Sequence, residues 1–179
     1  MPDGTPGGRR MQQVMEAMIR YFGNDTRRIS HALTVHAFAL MLGSHESLDA
    51  VGRKIIGYTA LLHDIGIHEA ERKYHSAAGV YQQIEGPPVA RQILMDHGVS
   101  RPIIERVCYI IANHHSYHAI DRIDFQIVVE ADFLVNFSEE RMQPAAIESV
   151  CQNVFRTAAG RELVRVMFPG QGEPSRDGS

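Results

Sequence analysis

A histidine and an aspartate stand side by side in an apolar segment, as His63 and Asp64 of the run LLHDIGI. A second apolar segment, VVEADFL, carries Glu130 and Asp132. Burying an unpaired carboxylate costs several kcal/mol, so each of these groups needs a hydrogen-bonding partner, a counter-charge or a metal ion. Separate hydrogen bonds in the core would satisfy them one at a time, whereas a single divalent cation would account for them together.

The chain contains ten histidines, and two of them lie on apolar faces of one predicted helix. His31 shares a face with Val35 and Phe38, which follow it at helical spacing, while His36 shares another face with Leu40. The spacing alone therefore does not decide which of the two histidines is a ligand.

These side chains have to be positioned by helices, because apolar residues recur at helical spacing nearly throughout the chain. The predicted helices are Met11–Phe22, Ile29–Leu42, a segment from the cap Ser47 to Leu62, a segment opened by Gly86-Pro87-Pro88 and closed by Gly98, a segment from Ser100 to Ile111, Phe125–Phe137, and two last ones introduced by Pro144 and Thr157. Asp25 or Thr26 would cap the second helix, and Asp124 the sixth. The segment Phe125–Val129 has the β-branched residues of a strand, but no second strand exists to pair with it, and we interpret it as buried helix. We therefore expect an all-α bundle of seven to eight helices.

The composition is that of one globular domain, because 44% of the 179 residues are hydrophobic and 22% are charged. We place this domain at residues 11–168 and expect flexible tails at residues 1–10 and 169–179. No apolar run reaches the roughly 18 residues of a membrane span. A net charge of -3 without a basic run argues against duplex nucleic acid as a partner. The two cysteines are expected to be free thiols, which fits a cytoplasmic protein.

The order His, His-Asp, Asp along an all-α chain resembles the HD-domain metal-dependent phosphohydrolase superfamily. The resemblance covers most of the core and rests on three motifs: HALTV beginning at His31, LLHDIG around His63 and Asp64, and EADFLVN containing Asp132. It favours His31 over His36, and it implies that His31, His63, Asp64 and Asp132 hold a metal ion.

These ligand types suit an octahedral divalent ion (Mn, Fe, Co, Ni or Mg) better than a structural zinc. The resemblance implies that a metal-bound hydroxide attacks a phosphorus atom while the ion polarises a phosphoryl oxygen. It also gives Asp64 a catalytic role, because the family uses this aspartate to orient the water as well as to bind the metal. Asn136, one turn after Asp132, is expected to orient a ligand.

Arg28 resembles an arginine that contacts substrate phosphate in many HD proteins, the alternative being a surface arginine. Some HD proteins hold a second metal with one ligand at a His-x-x-x-Gly helix start and another at a later helix end. His114 and His115 fit the later position, and either His75 or Glu85 fills the earlier one. We expect the Glu85 register, whose distance to His114 is closer to that of the family. Glu85 is then a candidate for contact with the substrate or a second metal, with a helix cap as the alternative.

The leading prediction is a metal-dependent phosphohydrolase, a phosphomonoesterase or phosphodiesterase, acting on a small phosphorylated molecule. In this superfamily that molecule is most often a nucleotide. One alternative is an HD-type di-iron oxygenase, which would need the second set of ligands. Another is a ligand-binding HD protein without turnover, against which the complete set of four ligands argues. The sequence is compatible with one or two bound ions and with a homo-oligomer.

Overall fold

A computed structural model describes residues 6–169, and every regular element within that range is helical. It contains nine α-helices: α1 (Pro6–Phe22), α2 (Thr26–Ser44), α3 (Ala50–Leu62), α4 (Ile67–Tyr74), α5 (Gly79–Asp96), α6 (Arg101–Ile111), α7 (Ile123–Glu139), α8 (Pro144–Asn153) and α9 (Ala158–Met167). A 3-10 turn, Tyr117–Ala119, joins α6 to α7. The all-α prediction is therefore confirmed. None of the described helices is both long and apolar enough to cross a membrane.

Helix α7 lies at the centre of the bundle, where it packs against α2, α3 and α9. Its side chains from Phe125 to Ala131 are all buried, so the helix is enclosed on every side over this stretch. A helix that is apolar all round belongs in the interior of a protein. The β-branched run within Phe125–Val129 is therefore helical, as expected, because neighbouring helices cover each of its faces.

Helices α2 and α3 pack on each other and on α7, and their apolar side chains form one cluster. Ala39 of α2, Ala60 of α3 and Ala131 of α7 are all fully buried within it. His31 lies on the N-terminal side of this cluster in α2, and His63 directly follows α3. The packing of three helices thus sets the positions of the predicted ligands.

Two helices in the middle of the chain differ from the prediction. Helix α4, which follows the His63-Asp64 turn, was not predicted. Helix α5 begins at Gly79 rather than at Gly86, so Pro87 and Pro88 lie inside it. Each internal proline removes a backbone donor from the helix, which is why the sequence favoured a helix start there. Burial of the following turns of α5 within the core stabilises the continuous helix.

The helix caps follow the prediction in part. The side chain of Asp25 caps α2, as expected. Helix α3 is capped by Asp49 instead of Ser47. Asp124, expected as a cap, lies in the first turn of α7, where its carboxylate forms an ion pair with Arg106 at 2.6 Å.

The ends of the domain also differ from the prediction. Helix α1 begins at Pro6, so the expected N-terminal tail is helical from residue 6 onward. The remaining parts of the two predicted tails, residues 1–5 and 170–179, lie outside the described residues.

The turn that carries Asp64 rests directly on the backbone of α5. A Cβ atom on Gly66 would lie 2.5 Å from the backbone nitrogen of Gly86 and 2.7 Å from the carbonyl oxygen of Gln82. Backbone atoms within a helix cannot rotate away from such a contact. Only glycine at position 66 therefore permits this approach, which holds the turn in place beside the core.

We expect Gly66→Ala to push the turn away from α5 and to lower the free energy of unfolding by about 2 kcal/mol or more, a typical cost of overpacking a rigid contact. Urea unfolding followed by circular dichroism measures this loss. Gly52→Ala is the matched control, because its added methyl group would meet the end of the Leu48 side chain at 3.0 Å, which can move. Its stability should change by less than about 1 kcal/mol. Equal losses in the two variants would contradict the prediction.

Candidate metal centre

The four side chains predicted as metal ligands converge in the interior. The Nε2 atom of His31 lies 3.2 Å from Nε2 of His63 and 3.1 Å from Oδ1 of Asp132. The Oδ2 atom of Asp64 lies 3.8 Å from Nε2 of His31 and 3.6 Å from Nε2 of His63. The ligand atoms of His31, His63 and Asp64 thus lie within 4.8 Å of one another, and Asp132 lies close to both imidazoles of this group.

The four residues come from three regions of the chain. His31 lies in the first half of α2, His63 and Asp64 follow α3, and Asp132 lies in the middle of α7. His36, the other histidine of α2, is buried elsewhere, with its Nε2 atom about 3.5 Å from where a Cβ atom on Gly57 would be. The geometry therefore favours His31, as the resemblance implied.

Backbone and side-chain acceptors engage the outer nitrogen of both imidazoles. The Nδ1 atom of His63 lies 2.9 Å from the carbonyl oxygen of Ala60, and Nδ1 of His31 lies 3.3 Å from Oε2 of Glu139. A carbonyl can only accept, so Nδ1 of His63 carries a proton, and the nearby carboxylate of Glu139 favours a proton on Nδ1 of His31. In the neutral imidazoles the Nε2 lone pairs then face each other and the carboxylates. Only a proton or a cation at the centre relieves this repulsion, and the two nitrogen and two oxygen donors suit a divalent cation.

The electrostatics of the cluster show the same need for positive charge. Burial alone would lower the pKa of His63, but Asp64 and Asp132 raise it to about 9. Burial alone would raise the pKa of both carboxyl groups, but the neighbouring histidines hold both well below their usual range. Without a metal ion, a proton on His63 offsets part of the carboxylate charge, and a bound cation would displace that proton.

Asn136 and Glu139 support the cluster from the next turns of α7. Asn136 donates a hydrogen bond of 2.9 Å from Nδ2 to Oδ1 of Asp132, which is the orienting role expected for it. Glu139 was not among the predicted site residues, although it lies three residues after Asn136 and seven after Asp132. Residues at this spacing share one face of a helix, so the signal was present in the sequence.

A second group of candidate ligands adjoins the first. Asp64, His114 and His115 have ligand atoms within 4.8 Å of one another. The Nδ1 atom of His114 lies 2.7 Å from the carbonyl oxygen of Ile111, and its buried Nε2 atom has no hydrogen-bond partner among residues 6–169. This Nε2 atom lies 3.5 Å from Oδ1 of Asp64. The ring of His115 packs against Gly79, where a Cβ atom would come within 2.5 Å of it.

Glu85 is not brought into either group, contrary to expectation. Its carboxylate accepts hydrogen bonds from Nζ of Lys73 at 2.5 Å and from the hydroxyl of Tyr74 at 3.0 Å. Because α5 begins at Gly79, Glu85 lies inside that helix rather than at its start, which overturns the favoured register. His75 is also outside both groups, as an exposed residue that ends α4 in the left-handed conformation with φ 53°.

Glu130 has a structural role instead of a place among the ligands. Its carboxylate is completely buried and accepts hydrogen bonds from the backbone N–H groups of Arg156 at 2.6 Å and Thr157 at 2.9 Å. The hydroxyl of Thr157 and the side-chain amide of Gln126 also donate to it. Glu130 therefore joins α7 to the beginning of α9, and the protein itself satisfies this carboxylate without a cation.

A cavity of about 310 Å³ opens beside His31 and Asp64. Arg28 lines this cavity, which is the location expected of a substrate-contacting residue. Its guanidinium group, however, forms ion pairs of 2.6 Å with Asp25 and 2.6 Å with Glu71. The charge of Arg28 is thus already used by two carboxylates of the protein.

Comparison with known proteins gives one informative similarity. No model of a known family matches the chain, and no curated protein matches it significantly. Among solved structures, the fold is similar to the crystal structure of a predicted HD superfamily hydrolase from an uncultured Thermotogales bacterium. The two chains are 21% identical, the match covers 87% of this chain and 83% of the other, and the TM-score is 0.62. The HD-domain fold predicted from the motifs is therefore confirmed.

The two carboxylates of the VVEADFL segment provide a matched test of the site. We expect Asp132→Asn to lose its bound metal, because it removes a charged ligand atom. Glu130→Gln should keep the metal but lower the free energy of unfolding by about 1–3 kcal/mol, since an amide NH2 group would face backbone donors. Elemental analysis and urea unfolding measure the two effects. Retention of metal by Asp132→Asn together with its loss from Glu130→Gln would contradict the assignment.

Proposed function

We propose that this protein is a metal-dependent hydrolase of small phosphorylated molecules, with a divalent ion held by His31, His63, Asp64 and Asp132. The observation that carries the proposal is the meeting of two imidazole Nε2 atoms and two carboxylates beside an open cavity. The similarity to a predicted hydrolase of the HD superfamily supports the reaction class.

The types and positions of these residues suit a divalent ion. An acceptor lies beside Nδ1 of each histidine, which leaves Nε2 for the ion. Each carboxylate lies close to an imidazole. When bound, a divalent cation would acidify water and polarise a phosphoryl oxygen, which is the chemistry of metal-assisted phosphoester hydrolysis. Mn, Fe, Co, Ni and Mg all suit this mixture of nitrogen and oxygen ligands.

The two oxygens of Asp64 have different neighbours, which supports the two roles that we propose for this residue. Its Oδ2 atom faces His31 and His63, whereas its Oδ1 atom is directed towards His114 at 3.5 Å. The first oxygen can bind the cation, while the second can accept a hydrogen bond from water. In this arrangement Asp64 orients the attacking water towards the substrate.

His114 is the group that we propose for proton transfer. Its Nδ1 atom is fixed by the carbonyl of Ile111, so Nε2 is the nitrogen available to the reaction. Burial and the absence of a partner among the described residues leave that nitrogen free to bind water or a leaving-group oxygen. A histidine so placed can receive a proton from water or supply one to the leaving group.

The substrate that we propose is a small phosphorylated compound, and nucleotides are the first class to test. The resemblance to the HD superfamily supports nucleotides, because they are its most frequent substrates. The cavity beside the metal centre supports a small molecule rather than an extended polymer.

A di-iron enzyme that oxidises its substrate is the second candidate. The group formed by Asp64, His114 and His115 favours it, because this group could hold a second ion next to the first. We prefer a single ion, since the second group shares Asp64 and contributes no further carboxylate to offset a second double charge.

Protein purified without chelator should contain one metal ion per chain, and it should release phosphate from phosphoesters in the presence of Mn, Co, Ni or Mg. Asp64→Asn should lower this rate by about a hundredfold or more, because it loses both a ligand charge and the group that orients water. His36→Ala is the control, which should keep both metal and activity. The measurements are elemental analysis and a phosphate-release screen of mono- and diesters. Two irons per chain without phosphate release under any metal would overturn the proposal.

The double variant His114→Ala/His115→Ala distinguishes one ion from two. With a single ion, it should retain one metal per chain and lose turnover by about a hundredfold, which is the typical contribution of a general acid or base. Elemental analysis and the same phosphate-release assay report the two quantities separately. A wild-type content of two ions that falls to one in this variant would establish the dinuclear site instead.

A further inference from the structure

The cavity beside the metal centre has an unequal distribution of charge. Its wall contains four carboxylates and two arginines in addition to His31. A phosphorylated ligand is an anion, so it needs positive charge from this wall as well as from the metal ion. The contacts of the two arginines therefore determine which of them is available to a ligand.

Three of the five N–H donors of Arg28 are engaged by two carboxylates of the protein. Its Nη1 atom donates to Asp25 at 2.6 Å and to Glu71 at 3.3 Å, and its Nη2 atom donates to Glu71 at 2.6 Å. A phosphoryl group that approached the Nη1 edge of this guanidinium would compete with two carboxylates, which already offset its charge. Arg28 instead holds the start of α2 against α4.

Arg27, the preceding residue, lines the same cavity and is free. No hydrogen bond or ion pair joins its guanidinium group to any residue in the described range 6–169. It is also exposed, so a ligand can reach it without displacing protein atoms. A guanidinium group presents paired donors that match the oxygens of a phosphoryl group.

Another part of the cavity wall is acidic. Glu139 and Glu140, at the end of α7, both line the cavity. Glu139 interacts with Nδ1 of His31 at 3.3 Å, while the carboxylate of Glu140 has no hydrogen bond or ion pair within residues 6–169. These carboxylates repel an anion, so the free charge of Arg27 counts strongly in the binding of one.

We propose that Arg27, and not Arg28, contacts the phosphoryl group of the substrate, and that Glu140 opposes ligands of higher negative charge. Arg27 is in this view the binding residue that completes the metal centre, and Arg28 is a structural residue. The inference rests on the proposed function only for the phosphorylated nature of the ligand, because inorganic phosphate can be used to test it without turnover.

The test is the affinity of the Mn-loaded protein for inorganic phosphate, measured by titration calorimetry. We expect Arg27→Met to weaken binding by about tenfold or more, the usual effect of losing a charge-assisted hydrogen bond. The phosphate affinity of Arg27→Lys should fall between those of the wild type and Arg27→Met, because lysine keeps the charge but not the paired donors. Glu140→Gln should strengthen binding by about twofold, since it removes a repulsive charge that is partly screened by solvent.

Arg20→Met is the matched control, because Arg20 is an exposed arginine that pairs with Glu16 on α1. This substitution changes the net charge of the protein by the same amount as Arg27→Met. Its phosphate affinity should equal that of the wild type. Equal affinities of Arg27→Met and Arg20→Met would overturn the inference, as would a wild-type protein that binds no phosphate. Phosphate binding that depends on Arg27, without phosphate release from any ester, would leave this inference standing while overturning the proposed hydrolase. Ester hydrolysis with a KM that is unchanged in Arg27→Met would overturn this inference and leave the proposed hydrolase standing.

Discussion

Two carboxylates and two imidazoles face one another inside the bundle, and their mutual repulsion is the constraint on which the rest of the structure depends. The groups of His31, His63, Asp64 and Asp132 can share a buried space only when protons or a cation lie among them. The apolar cluster of α2, α3 and α7 keeps them together despite this cost. Binding of a metal ion should therefore stabilise the fold as well as create the site, because the same ion joins all three helices.

The buried carboxylates of α7 show two different solutions to the cost of burial. Glu130 receives backbone N–H groups from the start of α9 and is satisfied entirely by the protein. Asp132, two residues later, faces imidazoles and receives one hydrogen bond from Asn136. A single turn of one helix thus carries both a structural carboxylate and a candidate ligand carboxylate. Their difference comes from the elements opposite them and not from the helix itself.

A similar division separates Arg27 from Arg28. Successive residues of a helix point about 100° apart, so neighbours in sequence meet different surroundings. Arg28 meets the carboxylates of Asp25 and Glu71, whereas Arg27 meets only the cavity. The resemblance to known HD proteins selected Arg28, whereas the ion pairs of Arg28 leave Arg27 as the unpaired guanidinium group on the cavity wall.

The sequence by itself determined the all-α class, because helical periodicity is a local property of the chain. The HD-domain fold and the four candidate ligands came from the family resemblance that its motifs carry. The choice of His31 over His36 needed the resemblance, since both face apolar surroundings. Only the tertiary structure decided that two prolines lie inside α5, that Glu85 is bound by Lys73, and that Glu139 supports His31. The physical reason is common to these cases. Whether a polar group is satisfied, and whether an unfavourable helix position is tolerated, depends on the atoms that distant segments bring into contact with it.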